Sequence, residues 1–282
     1  MSFTLFPDTR AALATDSLAG LSVGDARGAG HGPPWRWTDD TEQACCLVKA
    51  LTDDDGLDRD HFADLLGRHF DASRGYGSGA VVMLRQIREG TPWPIAAAAA
   101  FDGQGSAGNG AAMRAAPLGA WHADSLVHAA TEGARAAEVT HAHPEGIAGA
   151  VAVTVAAAVA AAARLEGQPV DLLGAVLAHT PHSRVRDSLG RATTIRTAAE
   201  AAHELGNGTR SLALDSVPFA LWVAAHHLDD YPGAVQACIA AGGDMDTTAA
   251  MAGGVVAAYT GADGVPGEWL RAREPLPDWV TG

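Results

Sequence analysis

Cysteine is scarce in this sequence of 282 residues, which contains only three. Cys45 and Cys46 are adjacent and Cys238 lies far from both, a spacing that gives neither a disulfide framework nor a zinc site. The segment 1–7 also lacks the basic flank and the apolar run of a secretion signal. We therefore expect a protein of the reducing cytoplasm.

Basic residues are also few. The sequence has 19 Lys and Arg against 33 Asp and Glu, so its formal net charge is -14 at pH 7. A chain this acidic repels phosphate backbones and anionic lipids at long range, so we expect neither stable nucleic-acid binding nor membrane binding. A small ligand that contains phosphate remains compatible if a metal ion or backbone N–H groups supply a local positive field. The oligomeric state leaves no mark on the sequence.

Aromatic residues make up only 6% of the chain, and alternating β-branched runs, which would favour strands, do not persist. Hydrophobic residues still reach 48%, with a large share of alanine, the best helix former. No linker, composition break or internal repeat divides the chain. The sequence predicts one all-α domain over residues 1–282, with helices at about 8–26, 38–51, 61–70, 80–89, 121–137, 145–166, 169–179, 194–205, 216–229, 231–241 and 246–260.

One long run, residues 146–163, contains no charged residue, and its length alone would suffice to span a bilayer. It consists almost entirely of Ala, Gly, Val and Thr, which drive membrane insertion far less than Leu, Ile or Phe. We therefore interpret the run as a central helix that is surrounded on all sides by other helices.

Two short segments rich in Asp and Thr each lie at the start of a predicted helix: TDDT at 38–41 and GGDMDTT at 242–248. One interpretation is helix capping, in which Asp39 and Glu42 form a capping box. Capping needs only one such residue, however, and several carboxylates packed together repel one another unless a cation neutralises them. Hard divalent ions prefer oxygen ligands of this kind. The joint occurrence of the two segments favours a site for two metal ions where they meet.

A glycine-rich segment at 103–110 precedes another helical run. Its backbone N–H groups could cradle a pyrophosphate, although glycine loops are more often simple turns. It is neither a Walker loop nor a dinucleotide-binding loop, because no Gly-Lys-Ser/Thr follows and no strand precedes it. In THAHP at 140–144 we expect His141 to hydrogen-bond a phosphate or ribose of the ligand, and His143, beside Pro144, to terminate a helix.

The motifs and their order resemble the ADP-ribosylglycohydrolase family, which includes the dinitrogenase reductase-activating glycohydrolases and the ADP-ribosylserine and ADP-ribosylarginine hydrolases. The resemblance runs from residue 20 to about 261, and the pair of TDDT and GGDxDT is its most specific part. The matching blocks are GLSVGDARGA (20–29), TDDT (38–41), RGYGSG (74–79), GNGAAMRAAPLG (108–119), THAHPEGIAGA (140–150) and GGDMDTTAAMAGG (242–254).

The resemblance implies an orthogonal all-α bundle with two divalent cations, Mg²⁺ or Mn²⁺, at the base of a cleft. It also implies hydrolysis of the N- or O-glycosidic bond between ADP-ribose and a modified acceptor, with metal-assisted catalysis at Asp39 and Asp246. The implied metal ligands are Thr38, Asp39, Asp40, Asp244, Asp246 and Thr247. The implied ADP-ribose contacts are Gly105, Ser106 and Asn109 at the diphosphate, and His141 along the cleft.

The sequence departs from the family at one position. Many relatives carry a glutamate shortly after the GDxxGA block, in a mobile loop that closes over the metals, whereas Gly32 stands there in a short loop, 31–37. We expect Asp25 to face the helix interior or to lie behind the metal ligands, and Asp102 is a candidate replacement for the acid/base. The absent glutamate leaves two alternatives: an ADP-ribose-binding pseudo-enzyme, against which the retained carboxylates argue, and a structural protein on the same scaffold.

Overall fold

The chain folds into fifteen α-helices in the computed structural model, which describes residues 4–30 and 32–280. No β-strand occurs in these two ranges, where the β-type pairs are the isolated bridges Trp35–Arg273 and Gly108–Leu212. The all-α prediction is confirmed. The helices are α1 (Pro7–Gly28), α2 (Asp39–Asp54), α3 (Arg59–His69), α4 (Ser78–Arg88), α5 (Trp93–Gly103), α6 (Ala116–Trp121), α7 (Leu126–Glu138), α8 (Pro144–Glu166), α9 (Leu172–His179), α10 (Arg184–Ala192), α11 (Ala198–Leu205), α12 (Ala213–His226), α13 (Tyr231–Ala241), α14 (Met245–Thr260) and α15 (Gly267–Ala272).

The uncharged run forms most of α8, the long helix around which the others pack. Of the apolar 18-residue window in α8, 89% is buried, and α8 contacts α6, α7, α9, α12 and α14. This burial agrees with the interpretation of a central helix. His143 starts α8 as its N-cap, with Nδ1 accepting the N–H of Glu145 at 3.1 Å. The expectation that His143 terminates a helix is therefore wrong.

Helices α1 and α14 cross in direct backbone contact, and the glycines of α1 allow it. A Cβ placed on Gly24 would lie 2.2 Å from the carbonyl oxygen of Ala249, and one on Gly28 would lie 2.5 Å from Cα of Asp246. Any larger side chain at these positions would separate the two helices. The close crossing brings the start of α14 beside the end of α1.

Three helices, α5, α10 and α15, were not predicted from the sequence. The prolines around α5 suggested a connection, but Pro94 lies in its first turn, where the missing N–H of proline breaks no helical hydrogen bond. The N-terminus of α10 depends on a distant residue, because the carboxylate of Glu145 accepts the N–H groups of Arg184 and Val185 at 2.9 and 3.0 Å. Local sequence patterns do not reveal such a tertiary cap.

Candidate metal centre and ligand cleft

Asp25, near the end of α1, holds the start of α2. Its carboxylate accepts the N–H and the hydroxyl of Thr38 at 2.9 and 2.8 Å, and the N–H of Thr41 at 3.2 Å. The side chain is completely buried. Asp25 therefore fixes the position from which α2 leaves, and it lies behind that helix start as expected.

The capping box expected of Asp39 and Glu42 does not form. Thr38 is the N-cap of α2, and its hydroxyl accepts the N–H two residues further on at 3.4 Å. Glu42 instead accepts the hydroxyl of Tyr76 at 2.7 Å and the N–H of Asp71 at 2.9 Å. Glu42 thus ties the loop before α4 to α2, and capping does not use the carboxylate of Asp39.

The two acidic helix starts meet in space. Asp25, Asp40 and Asp246 each place a carboxylate oxygen within 4.8 Å of the other two, and the hydroxyl of Thr247 donates to Oδ2 of Asp40 at 3.4 Å. We refer to Asp25, Asp39, Asp40, Asp244 and Asp246 as the acidic cluster. No salt bridge reaches any of the five within residues 4–30 and 32–280.

Burial and mutual repulsion raise the pKa of several of these carboxyl groups. Burial, followed by the charge of Asp25, raises the pKa of Asp39 to about 8. Burial, followed by the charge of Asp246, raises the pKa of Asp244 to about 7. Burial, followed by the charge of Asp25, also raises the pKa of Asp40 well above its ordinary value. A cluster of this kind ionises readily only when a cation compensates it.

The side chains fit a hard divalent cation. Oδ1 of Asp40 is buried and has no hydrogen-bond partner among residues 4–30 and 32–280, which is costly for a carboxylate oxygen unless another group binds it. The surrounding donors are carboxylate and hydroxyl oxygens, which Mg²⁺ and Mn²⁺ prefer to nitrogen or sulfur. The acidic cluster is therefore a candidate metal centre on its own chemistry.

Two outer members of the cluster are oriented by amide side chains. The amide nitrogen of Gln43 donates to Oδ2 of Asp39 at 3.1 Å, and that of Asn109 donates to Oδ2 of Asp244 at 2.8 Å. Asn109 belongs to the glycine-rich loop, so this contact joins the loop to the acidic cluster. Its amide group is directed at a carboxylate, a contact that the sequence did not suggest.

A cleft of about 530 Å³ opens over the acidic cluster. Its size suits a nucleotide-sized ligand. The glycine-rich loop packs against the residues before α8, because a Cβ on Gly105 would lie 2.6 Å from the N atom of His143 and the φ of Gly105 is +75°. The predicted site residues that line the cleft are Asp39, Asp40, Gly105, Ser106, Asn109, His141, Asp244, Asp246 and Thr247.

Two of the predicted site residues lie outside the cleft lining. The hydroxyl of Thr38 is engaged with Asp25 at 2.8 Å and with Asp40 at 3.1 Å. Asp102 is exposed, with a φ of 56°, and does not line the cleft. The loop that carries Gly32 is described except for His31, which lies outside the described residues.

Among the cleft residues that the sequence analysis did not single out, Phe101 and Arg210 have side chains suited to a nucleotide ligand. Phe101 is 61% exposed at the cleft, and its left-handed φ of 53° is unusual for an aromatic residue. Arg210 is the one Arg or Lys that lines the cleft among the described residues, and its Nη2 donates to Asp215 at 2.8 Å. Arg210 follows the glycine-containing turn 206–208, whose Asn207 accepts the N–H of Asp244 at 3.0 Å. The motif GNG at 206–208 was the sequence signal that could have indicated a second loop at the cleft.

Comparison with known proteins agrees with this geometry. A model of the ADP-ribosylglycohydrolase family matches residues 7–282. The chain is 31% identical over 276 residues to ADP-ribosylhydrolase ARH3 of Homo sapiens, covering 84% of this chain and 74% of that protein. An uncharacterised protein of Archaeoglobus fulgidus is 32% identical over 256 residues, covering 87% and 79%. The solved structure of an ADP-ribosylglycohydrolase-related protein complex is similar with a TM-score of 0.63 and 27% identity, covering 95% of this chain and 94% of that one.

Proposed function

Because this chain belongs to the ADP-ribosylglycohydrolase family, we propose that it is a metal-dependent hydrolase of the bond between ADP-ribose and a modified acceptor. The product is free ADP-ribose together with the unmodified acceptor. The observation that carries the proposal is the buried Oδ1 of Asp40 in the acidic cluster at the base of the cleft, which no described residue hydrogen-bonds. Likeness to proteins named ADP-ribosylhydrolase supports the type of substrate.

The residues that would hold two Mg²⁺ ions, or Mn²⁺ in their place, come from the starts of α2 and α14. They are Thr38, Asp39, Asp40, Asp244, Asp246 and Thr247, with Asp25 behind them as the support of α2. Such ions, when bound, stabilise developing negative charge and lower the pKa of a bound water. The chain's own contribution is to hold these oxygens together at the base of the cleft, on the starts of two packed helices.

The remainder of the cleft suits the rest of ADP-ribose. Gly105 allows the glycine-rich loop to lie close against the segment before α8, and Ser106 and His141 present polar atoms beside it. Arg210 supplies positive charge for a diphosphate in an otherwise acidic cleft. The exposed ring of Phe101 offers a face on which an adenine base can stack.

Proton transfer is assigned to the acidic cluster itself. The carboxylates that line the cleft within the described part of the chain are Asp39, Asp40, Asp244 and Asp246. Asp102 does not line this surface and is not proposed as the acid/base. When a cation compensates their charge these carboxylates are ionised, and an ionised carboxylate beside the attacking water can accept its proton, which is the role of a general base.

The test is release of ADP-ribose from substrates with arginine, serine and nucleic-acid linkages, measured during titration with Mg²⁺ and Mn²⁺. We expect turnover of at least one linkage, loss of turnover with EDTA, and loss of turnover in Asp246→Ala. Asp187→Ala, an exposed change on α10, is the matched control and should keep full activity. Tight ADP-ribose binding without turnover of any linkage would support the pseudo-enzyme, and unchanged turnover in Asp246→Ala would remove the metal site from the reaction.

A further inference from the structure

A guanidinium group without an acidic partner lies beneath the cleft. Arg114 is 1% exposed, and within residues 4–30 and 32–280 no carboxylate forms a salt bridge with it. Its cation lies 5.0 Å from the centre of the Phe62 ring. Burying a charged group is costly unless its N–H donors are hydrogen-bonded, so we expect Arg114 to hold its acceptors in fixed orientations.

One branch of these hydrogen bonds leads to the acidic cluster. Nη1 of Arg114 donates to Oε1 of Gln43 at 2.5 Å, and Nε2 of Gln43 donates to Oδ2 of Asp39 at 3.1 Å. Since a guanidinium can only donate, it fixes which end of the Gln43 amide is the oxygen. The amide nitrogen is therefore turned toward Asp39.

The other branch leads to His141. Nη2 of Arg114 donates to the hydroxyl oxygen of Thr140 at 2.8 Å and to the carbonyl oxygen of Ala136 at 3.2 Å. The Thr140 hydroxyl lies 2.8 Å from Nδ1 of His141. Thr140 is buried, so its hydroxyl hydrogen needs an acceptor, and Nδ1 of His141 is the acceptor that these contacts provide.

The opposite edge of the His141 ring faces the glycine-rich loop. Cβ atoms placed on Gly108 and Gly110 would lie 3.6 and 3.4 Å from its Nε2. Burial, with a smaller contribution from the charge of Arg114, lowers the pKa of His141 to about 3, so the ring is neutral at physiological pH. A neutral ring that accepts at Nδ1 carries its proton at Nε2.

We propose that Arg114, Gln43 and Thr140 are positioning residues, which hold His141 as the Nε2–H tautomer and so present one N–H donor to a phosphate or ribose oxygen in the cleft. This role rests on the proposed function, because it assigns that donor to ADP-ribose. Gln43 and Thr140 line the cleft and Arg114 does not, and the role assigned to all three is to set the tautomer of His141 and not to bind the ligand. The same guanidinium orients the Gln43 amide that donates to Asp39. One buried cation therefore orders a hydrogen-bonding group beside the acidic cluster and another, His141, beside the glycine-rich loop.

The direct test is ¹⁵N NMR of histidine-labelled protein without ligand, with the signals of His141 assigned by their loss in His141→Gln. The wild-type ring should show a protonated Nε2 and an unprotonated Nδ1. Thr140→Val removes the hydroxyl at nearly constant volume and should shift the ring toward the Nδ1–H tautomer. Thr140→Ser keeps the hydroxyl and should restore the wild-type signals.

Binding of ADP-ribose measured by calorimetry is the second arm. Loss of one well-oriented hydrogen bond should weaken affinity about tenfold in Thr140→Val, with recovery in Thr140→Ser. Thr154→Val is the matched control, because Thr154 is also buried and its hydroxyl donates to the carbonyl of Ala150 within its own helix. It should change neither the tautomer nor the affinity.

The outcomes separate the two proposals. A wild-type ring with the proton on Nδ1, or a tautomer unchanged in Thr140→Val, overturns the positioning role whatever the ligand is. Failure of the wild type to bind ADP-ribose overturns the proposed function, while the NMR result still decides whether Arg114 and Thr140 set the tautomer. An equal loss of affinity in the Val and Ser variants would show a packing effect and would also overturn the positioning role.

Discussion

The hydroxyl of Thr247 donates to Oδ2 of Asp40 at 3.4 Å, although 207 positions separate the two residues in the chain. Thr247 lies in the first turn of α14 and Asp40 in the first turn of α2, so the two helix N-termini converge on the same carboxylates. The positive ends of the helix dipoles offset part of the negative charge there. Without a cation the remaining repulsion opposes folding, and this has measurable consequences.

Metal-depleted protein should lose stability as the pH rises from about 5 to about 8. Burial raises the pKa of Asp25 to about 6, of Asp244 to about 7 and of Asp39 to about 8. A carboxyl group whose pKa is higher in the folded than in the unfolded protein favours folding while it is protonated. That contribution disappears as the pH rises through the folded-state pKa. Thermal unfolding of EDTA-treated protein across this range measures the effect.

Mg²⁺ should act in the opposite direction, with a rise in Tm that grows with pH, because the ion binds ionised carboxylates of the folded state. Asp40→Asn should raise the Tm of the metal-depleted protein at pH 8 and weaken its response to Mg²⁺. Asp187→Asn, on the exposed face of α10, should alter neither quantity. A metal-depleted Tm that rises between about pH 5 and pH 8 would contradict the electrostatic account.

The close crossing of α1 and α14 gives a prediction about packing. Gly24→Ala places a methyl group 2.2 Å from the carbonyl oxygen of Ala249, so the helices must separate. We expect a loss of about 1–3 kcal/mol in the free energy of unfolding. The response to Mg²⁺ should weaken as well, because the next residue, Asp25, supports the acidic cluster from α1.

Gly190→Ala is the matched control for that substitution. Gly190 is helical in α10, and a Cβ there would meet no atom within 4 Å. The change should stabilise the protein by about 0.5–1 kcal/mol, because alanine loses less backbone entropy than glycine in a helix. Urea unfolding of both variants decides the point, and equal effects of the two substitutions would exclude a packing role for Gly24.

The sequence indicated the fold class and the convergence of the two acidic segments, because helix propensity and clustered charge are local properties. It did not reveal that Asp25 joins Asp40 and Asp246, since that depends on how closely α1 and α14 approach. Arg114 looked like an ordinary residue of a helical run. Its role becomes visible only when Gln43 and Thr140, from two other segments, are found on its two nitrogens.

The metal ligands Asp39, Asp40, Asp244 and Asp246 and the contacts Gly105, Ser106, Asn109 and His141 stay predictions about chemistry. The structure shows that all eight line one cleft, but it does not show what they bind. The candidate Asp102 shows the opposite case. Its nearness in sequence to the glycine-rich loop suggested a site residue, but the left-handed backbone at Phe101 and Asp102 turns the chain so that the aromatic ring, and not the carboxylate, lines the cleft.

The loop between α1 and α2 gives the last prediction. Both of its ends lie at the acidic cluster, since Gly28 contacts the start of α14 and Thr38 is held by Asp25. Gly32, between them, is exposed, and a Cβ there would meet no atom within 4 Å. The backbone of Trp35 bonds to Ala272 and Glu274 at 2.8 Å each, which anchors the loop just beyond Gly32.

Gly32→Glu should therefore fold as stably as the wild type and place a carboxylate in the loop between α1 and α2, at the position where the family resemblance implies one. The new carboxylate would act beside the acidic cluster as a second proton-transfer group, so we expect the turnover of ADP-ribosylated substrate to rise by about tenfold, a modest part of what a well-placed general acid or base contributes. Gly32→Gln adds the same volume without the acid and is the matched control. If Gly32→Gln and Gly32→Glu change the rate equally, the effect comes from the added volume of the side chain and not from its acid group. If neither changes it, the acidic cluster performs the proton transfer alone, and a carboxylate in this loop adds nothing to the rate.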